Sequence, residues 1–201
     1  MSWEQPIRAA ARKITDARII ITPIFLAVIL MESLPHRFLI ACIIFAVASI
    51  SDAVDGHLAR KNNQVTNFGK FLDPIADKVL TTSALLAFMS MGLCNIWIVM
   101  LVLTREFAIA SVRMIAAAGG VVIPANIWGK IKTISQMVFT IVIMLLGEAY
   151  YIVEKSYTEL SVKLPDLSLI SNGLLWITAI LTVVSGVIYL NDSKKIIDFT
   201  K

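Results

Sequence analysis

Six stretches of this chain are apolar for longer than an ordinary soluble helix: residues 17–31, 37–54, 71–91, 95–118, 131–153 and 168–190. A membrane span needs about 20 largely apolar residues at a rise of about 1.5 Å each. Within lipid every backbone N–H and C=O must find its partner inside the protein, so only helices and closed barrels cross. A barrel would need strands of about ten residues with alternating character. These runs do not alternate, so they predict helices. The fold expected is all-α, a polytopic membrane protein with six transmembrane helices, built as one membrane domain over residues 1–201. Composition agrees. The chain is 58% hydrophobic and 16% charged, against roughly 45–50% and about 25% for soluble domains. So few charges cannot clothe a soluble domain of this size, and so much apolar content excludes disorder.

Charge then sets the orientation. All of the 18 Lys and Arg except Arg37, Lys155 and Lys163 fall on or near the side that holds the N-terminus. The positive-inside rule puts that side, with both termini, in the cytoplasm, which makes this a multi-pass protein of the inner (cytoplasmic) membrane. The net charge of +4 reports this topology, and no nucleic-acid partner is expected. Residues 1–16 read either as an interfacial juxtamembrane helix, with Trp3 and Ile7 inserted and Arg8, Arg12 and Lys13 toward headgroups, or as a frayed basic tail. The apolar stretch behind them runs on without a small-residue cleavage site, so it reads as a first span. Cys42 and Cys94 lie inside apolar stretches and offer no disulfide framework or metal pattern, so they read as small buried hydrophobes.

Chemistry concentrates between Ser51 and Lys78. Asp52 and Asp55 are three apart, and Asp73 and Asp77 four apart. Both spacings put two carboxylates on one face of a helix. The first pair ends span two and the second begins span three, so a turn around residues 62–66 lets the pairs face each other at the cytoplasmic end. Two like charges about 4 Å apart repel by about 4 kcal/mol at an effective dielectric near 20. Divalent cations relieve that cost. Hard oxygen donors without His or Cys suit Mg²⁺ or Mn²⁺ rather than zinc, and four acids can hold two ions, the arrangement that clamps a phosphoryl group during displacement. Gly56 and Gly69 let a ligand approach the backbone, and Arg60 and Lys61 can meet phosphate oxygens. Asp77 can take the proton of an attacking hydroxyl.

The pattern Asp52-x2-Asp55-Gly56-x2-Ala59-Arg60-x8-Gly69-x3-Asp73-x3-Asp77 resembles in full the signature of the CDP-alcohol phosphotransferase family. The resemblance implies six transmembrane helices, a site with two metal ions at the cytoplasmic end of helices 2 and 3, and a homodimer. It implies that a CDP-linked donor loses CMP when an alcohol attacks its β-phosphate. Position by position, it implies that Asp52, Asp55 and Asp73 are metal ligands and that Asp77 is the catalytic base and a further ligand. It makes Gly56, Ala59, Arg60 and Gly69 the CDP-binding positions, joined by Thr15 and Arg18. Arg12 and Lys13 stand where that family often carries an Asn.

A second set of residues, Thr104-Arg105-Glu106, Arg113, Trp128-Gly129-Lys130, Lys132-Thr133 and Gln136, resembles the bacterial phosphatidylglycerophosphate synthases within that family. This implies CDP-diacylglycerol as donor and glycerol 3-phosphate as acceptor, with Arg113, Lys130, Lys132 and Arg105 as acceptor-phosphate positions. Arg105 lies about 15 Å into its span, deep enough for a buried polar network with Glu106. Two other readings are carried beside this one. Another acceptor (inositol phosphate, serine or phosphatidylglycerol) would keep the family and change the product. A cation-coupled transporter would also place acids in a membrane, although such sites lie near the midplane between inverted repeats.

Overall fold

A computed structural model describes the backbone of residues 20–61, 67–118, 126–156 and 165–194, and the side chains of residues 20–51, 78–117, 126–156 and 165–193. Six helices and no strand occur among the described residues: α1 (Ile20–Leu30), α2 (Arg37–Lys61), α3 (Asn67–Ser90), α4 (Ile96–Ala118), α5 (Ile127–Ser156) and α6 (Leu167–Lys194). They follow the six apolar runs in order. Several continue well past them: α2 reaches Lys61 where the apolar run stops at 54, and α3 begins at Asn67 where it starts at 71. Hydropathy marks where apolar character ends. Hydrogen bonding carries the helix on, because Lys, Arg and Asn continue one without a break in the backbone ladder.

Local chemistry explains the starts. Three helices open on an Asn or Asp whose side chain accepts the N–H two residues on, as an N-cap does. Asn95 Oδ1 takes Trp97 N–H at 3.0 Å, Asn126 Oδ1 takes Trp128 N–H at 3.2 Å, and Asp166 Oδ1 takes Ser168 N–H at 2.9 Å. No such residue precedes α2. There His36 turns the chain in the left-handed region (φ 56°), and the cap comes from another helix: Glu148 of α5 accepts the Leu39 N–H at 3.2 Å.

The chain divides into two compact units. The first holds α1, α2, most of α3 and the C-terminal half of α5. Its core is aromatic and aliphatic: Phe25 of α1 meets Phe45 of α2, their rings 5.7 Å apart, Ile29 is fully buried in α1, and Ala84 and Leu85 are buried along α3. Gly147 lets α5 press onto α2, since a Cβ there would lie 2.8 Å from the Phe38 ring.

The second unit holds α4, the N-terminal half of α5 and α6. Along α6 and the start of α5 the buried face is rich in polar side chains and the exposed face is aliphatic. α6 buries Ser171, Thr178, Thr182, Ser185 and Ser193, and exposes Leu169, Ile177, Ile180, Val183 and Val187. α5 buries Lys132, Gln136 and Thr140 at four-residue spacing while Ile131, Ile134 and Val138 face outward. Most of the buried hydroxyls bond to carbonyls: Thr182 to Thr178 O at 2.7 Å, Ser193 to Tyr189 O at 2.7 Å, and Ser171 to Leu93 O at 2.7 Å, while the Thr178 hydroxyl has no partner among the described residues. Polar atoms inside and aliphatic ones outside suit a lipid surround. α5 and α6 are each long and apolar enough to cross a membrane.

α4 packs along α6. At one end Ser168 and Ser171 donate to the carbonyls of Gly92 and Leu93 in the turn before α4. At the other, Arg113 meets Tyr189. Ser171 and Tyr189 are roughly 27 Å apart along α6 at 1.5 Å per residue, close to the thickness of a hydrocarbon core.

Candidate active site

The acidic motif lies on helical backbone at both of its ends. Asp52, Asp55, Gly56, Ala59 and Arg60 belong to the C-terminal part of α2, and Gly69, Asp73 and Asp77 to the N-terminal part of α3. A helix at each position keeps the two members of each pair one turn apart along their own rod. The side chains of these residues, and the turn at 62–66, lie outside the described residues, as do Thr15, Arg18 and residues 1–16. The donor set itself fits a hard divalent cation: four carboxylates on two consecutive helices, with oxygen donors only.

The cationic set is described in atomic detail. Arg105 and Lys132 converge on one carboxylate: Arg105 Nη1 donates to Glu106 Oε1 at 2.9 Å, and Lys132 Nζ donates to the same oxygen at 2.6 Å. All three side chains are largely buried, Lys132 to 3% exposure, Arg105 to 12% and Glu106 to 15%. The depth of Arg105 in its span anticipates the pairing with Glu106. Burial of Lys132 explains the pairing from the other side, because an ammonium removed from water requires a counter-charge and hydrogen bonds.

Two glycines shape the slot that Arg105 occupies. A Cβ on Gly129 of α5 would sit 3.3 Å from Arg105 Nη2, and one on Gly186 of α6 would sit 3.1 Å from its Cγ. The arginine therefore runs between two helices at positions where neither has a side chain. Its Nε is buried without a hydrogen-bond partner among the described residues. Buried donors in that state are rare in native proteins.

Arg113 and Lys130 differ from this pair in being exposed. Lys130 lies in the first turn of α5, whose start is tied to α6 by Asn126 donating to Asp192 at 3.4 Å. Arg113 Nε donates to the Tyr189 hydroxyl at 3.1 Å, and its guanidinium carbon stands 5.4 Å from the centre of the Tyr189 ring. The structure thus joins Arg105 to Lys132 through Glu106, and Arg113 to α6 through Tyr189. Tyr189 and Gly186 carry no mark in the sequence. Each is one residue in an apolar run, and what they do depends on how α6 packs against α4.

The chain matches the sequence model of the CDP-alcohol phosphatidyltransferase family over residues 8–184. It is 38% identical over 185 residues to a CDP-diacylglycerol–glycerol-3-phosphate 3-phosphatidyltransferase of Bacillus subtilis, a match covering 87% of this chain and 89% of the relative. The enzyme of the same name from Rickettsia bellii is 34% identical over 182 residues, covering 90% and 93%. A probable phosphatidylglycerophosphate synthase of Mycobacterium tuberculosis is 40% identical over 130 residues, covering 64% and 62%.

Proposed function

Since the chain belongs to the CDP-alcohol phosphatidyltransferase family, we propose that it transfers the phosphatidyl group of CDP-diacylglycerol to glycerol 3-phosphate, giving phosphatidylglycerol phosphate and CMP. One observation carries the reading: every position of the acidic signature from Asp52 to Asp77 falls on helix, at the C-terminal part of α2 and the N-terminal part of the next helix, α3. The relatives named for this reaction support the choice of acceptor.

Asp52, Asp55, Asp73 and Asp77 would hold Mg²⁺ or Mn²⁺, two ions in all, which supply charge neutralisation at the donor's diphosphate. Gly56, Ala59, Arg60 and Gly69, with Thr15 and Arg18, bind the CDP moiety. Arg113, Lys130, Lys132 and Arg105 receive the phosphate of the acceptor. Asp77 takes the proton from the primary hydroxyl of glycerol 3-phosphate. The bond from that oxygen to the β-phosphorus forms, the bond from the β-phosphorus to the bridging oxygen breaks, and CMP leaves with the electron pair. The donor is a lipid and the acceptor is water-soluble, so the reaction belongs at an interface. In this reading the whole chain is one domain of six transmembrane helices in the cytoplasmic membrane, a homodimer with both termini in the cytoplasm.

Purified protein with CDP-diacylglycerol, glycerol 3-phosphate and Mg²⁺ is expected to release CMP, and chelation to stop the release. Asp77→Asn is expected to lower kcat by about 100-fold or more, the usual contribution of a general base. A panel of acceptors including serine, inositol phosphate and phosphatidylglycerol fixes the alcohol. Near-wild-type turnover in Asp77→Asn or Asp73→Asn sinks the assigned roles, and preference for another acceptor sinks the assigned product.

A further inference from the structure

We propose that Tyr189 is a positioning residue of the acceptor site: it holds the Arg113 guanidinium in the orientation that receives the acceptor's phosphate. The proposal rests on reading Arg113 as a phosphate-binding residue. Tyr189 itself lies beyond residues 8–184, the part of the chain matched to the family.

Tyr189 is 3% exposed, and the buried face of α6 on which it lies is lined, apart from Leu175, by Ser, Thr, Ala and Gly. A phenylalanine would fill the same space. A buried phenolic oxygen is costly unless it is bonded, and this one accepts from Arg113 Nε at 3.1 Å. The same ring stands beside the guanidinium carbon at 5.4 Å, within cation–π range.

The choice of donor matters. Nε is the innermost N–H of an arginine, so a bond there fixes the plane of the guanidinium and leaves both terminal amino groups for another acceptor. A pair of such N–H groups matches two oxygens of one phosphate. Arg113 is exposed, and an exposed arginine without an anchor samples many rotamers that binding must then freeze. Tyr189 removes that freedom before the ligand arrives, the usual route by which preorganisation strengthens binding.

α6 supports the other cation of α4 in the same way. Gly186, three residues before Tyr189, lies against Arg105 Cγ. Arg105 and Arg113 are about 12 Å apart along α4 at 1.5 Å per residue, and both rest on the same stretch of α6. This stretch acts as a backing plate for the arginines of α4.

The test measures KM and kcat separately for glycerol 3-phosphate and for CDP-diacylglycerol. Tyr189→Phe keeps the ring and loses the acceptor. It is expected to raise the KM for glycerol 3-phosphate about tenfold, with kcat and the KM for CDP-diacylglycerol within about twofold of wild type. Arg113→Lys keeps the charge and lacks Nε, so it is expected to show the same selective rise. Adding Tyr189→Phe to Arg113→Lys is then expected to change nothing further, as for two groups acting through one contact. Arg113→Gln tests the premise. If it raises the glycerol 3-phosphate KM while Tyr189→Phe does not, the positioning role of Tyr189 is wrong and Arg113 stands. If Arg113→Gln leaves that KM unchanged, both the phosphate-binding reading of Arg113 and this proposal fall. A Tyr189→Phe defect that lowers kcat and affinity for both substrates alike also overturns it, as a general loss of structure.

Discussion

Two largely buried glutamates, one in each compact unit, are held in opposite ways. Glu106 of α4 gathers two cationic side chains at a single oxygen, one from its own helix and one from α5. Glu148 of α5 faces the imidazole of His36 and the backbone N–H of Leu39, and so closes the open end of α2, with Tyr151 edge-on to the imidazole at 5.2 Å. The partners distinguish the two roles. A carboxylate that satisfies the start of a helix is finished by that contact. A carboxylate that organises an arginine and a lysine fixes the position of groups that can themselves bind an anion. Burial of an acid alone therefore says little about function, and the identity of its partners says much.

The largest effect is expected at Glu106. Glu106→Ala leaves two cations without this partner in a buried setting and is expected to cost about 3–5 kcal/mol, read as a lowered unfolding midpoint in detergent. Replacing Glu106, Arg105 and Lys132 together by apolar residues of similar size is expected to recover most of that stability and still abolish turnover. If Glu106→Ala unfolds like wild type, the cluster has no structural role. Glu148→Ala is the next largest, about 1 kcal/mol as for a lost helix cap, with the KM for both substrates unchanged. A substrate-selective KM change there would erase the distinction between the two glutamates.

The smallest of these effects belongs to Cys94. It is a buried ionisable group facing a backbone carbonyl, Asn95 O at 3.6 Å. Burial pushes its thiol up to about 12 from an ordinary value of 9.0. With no counter-charge beside it among the described residues, it stays protonated. In a Cys42→Ala background, alkylation by iodoacetamide at pH 8–9 is expected to be slower by about 1000-fold in the native protein than in the unfolded chain, following the thiolate fraction. Equal rates would show a cationic or open environment at this turn.

The number and order of the helices were legible because an unbroken apolar run has one backbone solution in lipid. Their ends were not, because Lys61 and Asn67 continue a helix after the apolar signal has stopped. The acidic signature was legible because its spacing and its glycines recur as a unit. The pairing of Arg105 with Glu106 could be anticipated from depth alone. That Lys132 shares the same oxygen could not, since it depends on how α5 lies against α4. Tyr189 was invisible for the same reason: a lone tyrosine in an apolar run breaks no pattern, and only the packing of α6 on α4 brings it to Arg113.

The hydroxyl-lined seam of α6 also decides how that helix adheres. With aliphatic surroundings on both sides, expulsion of water contributes little to holding it in place, and close atomic fit with hydroxyl-to-carbonyl bonds must do so instead. Adhesion of that kind lacks the large heat-capacity signature of a water-driven core. Chilling, which loosens soluble proteins by weakening their hydrophobic drive, leaves it untouched. Short alcohols, which can wedge into the seam and compete for its carbonyls, are the solvents it tolerates least.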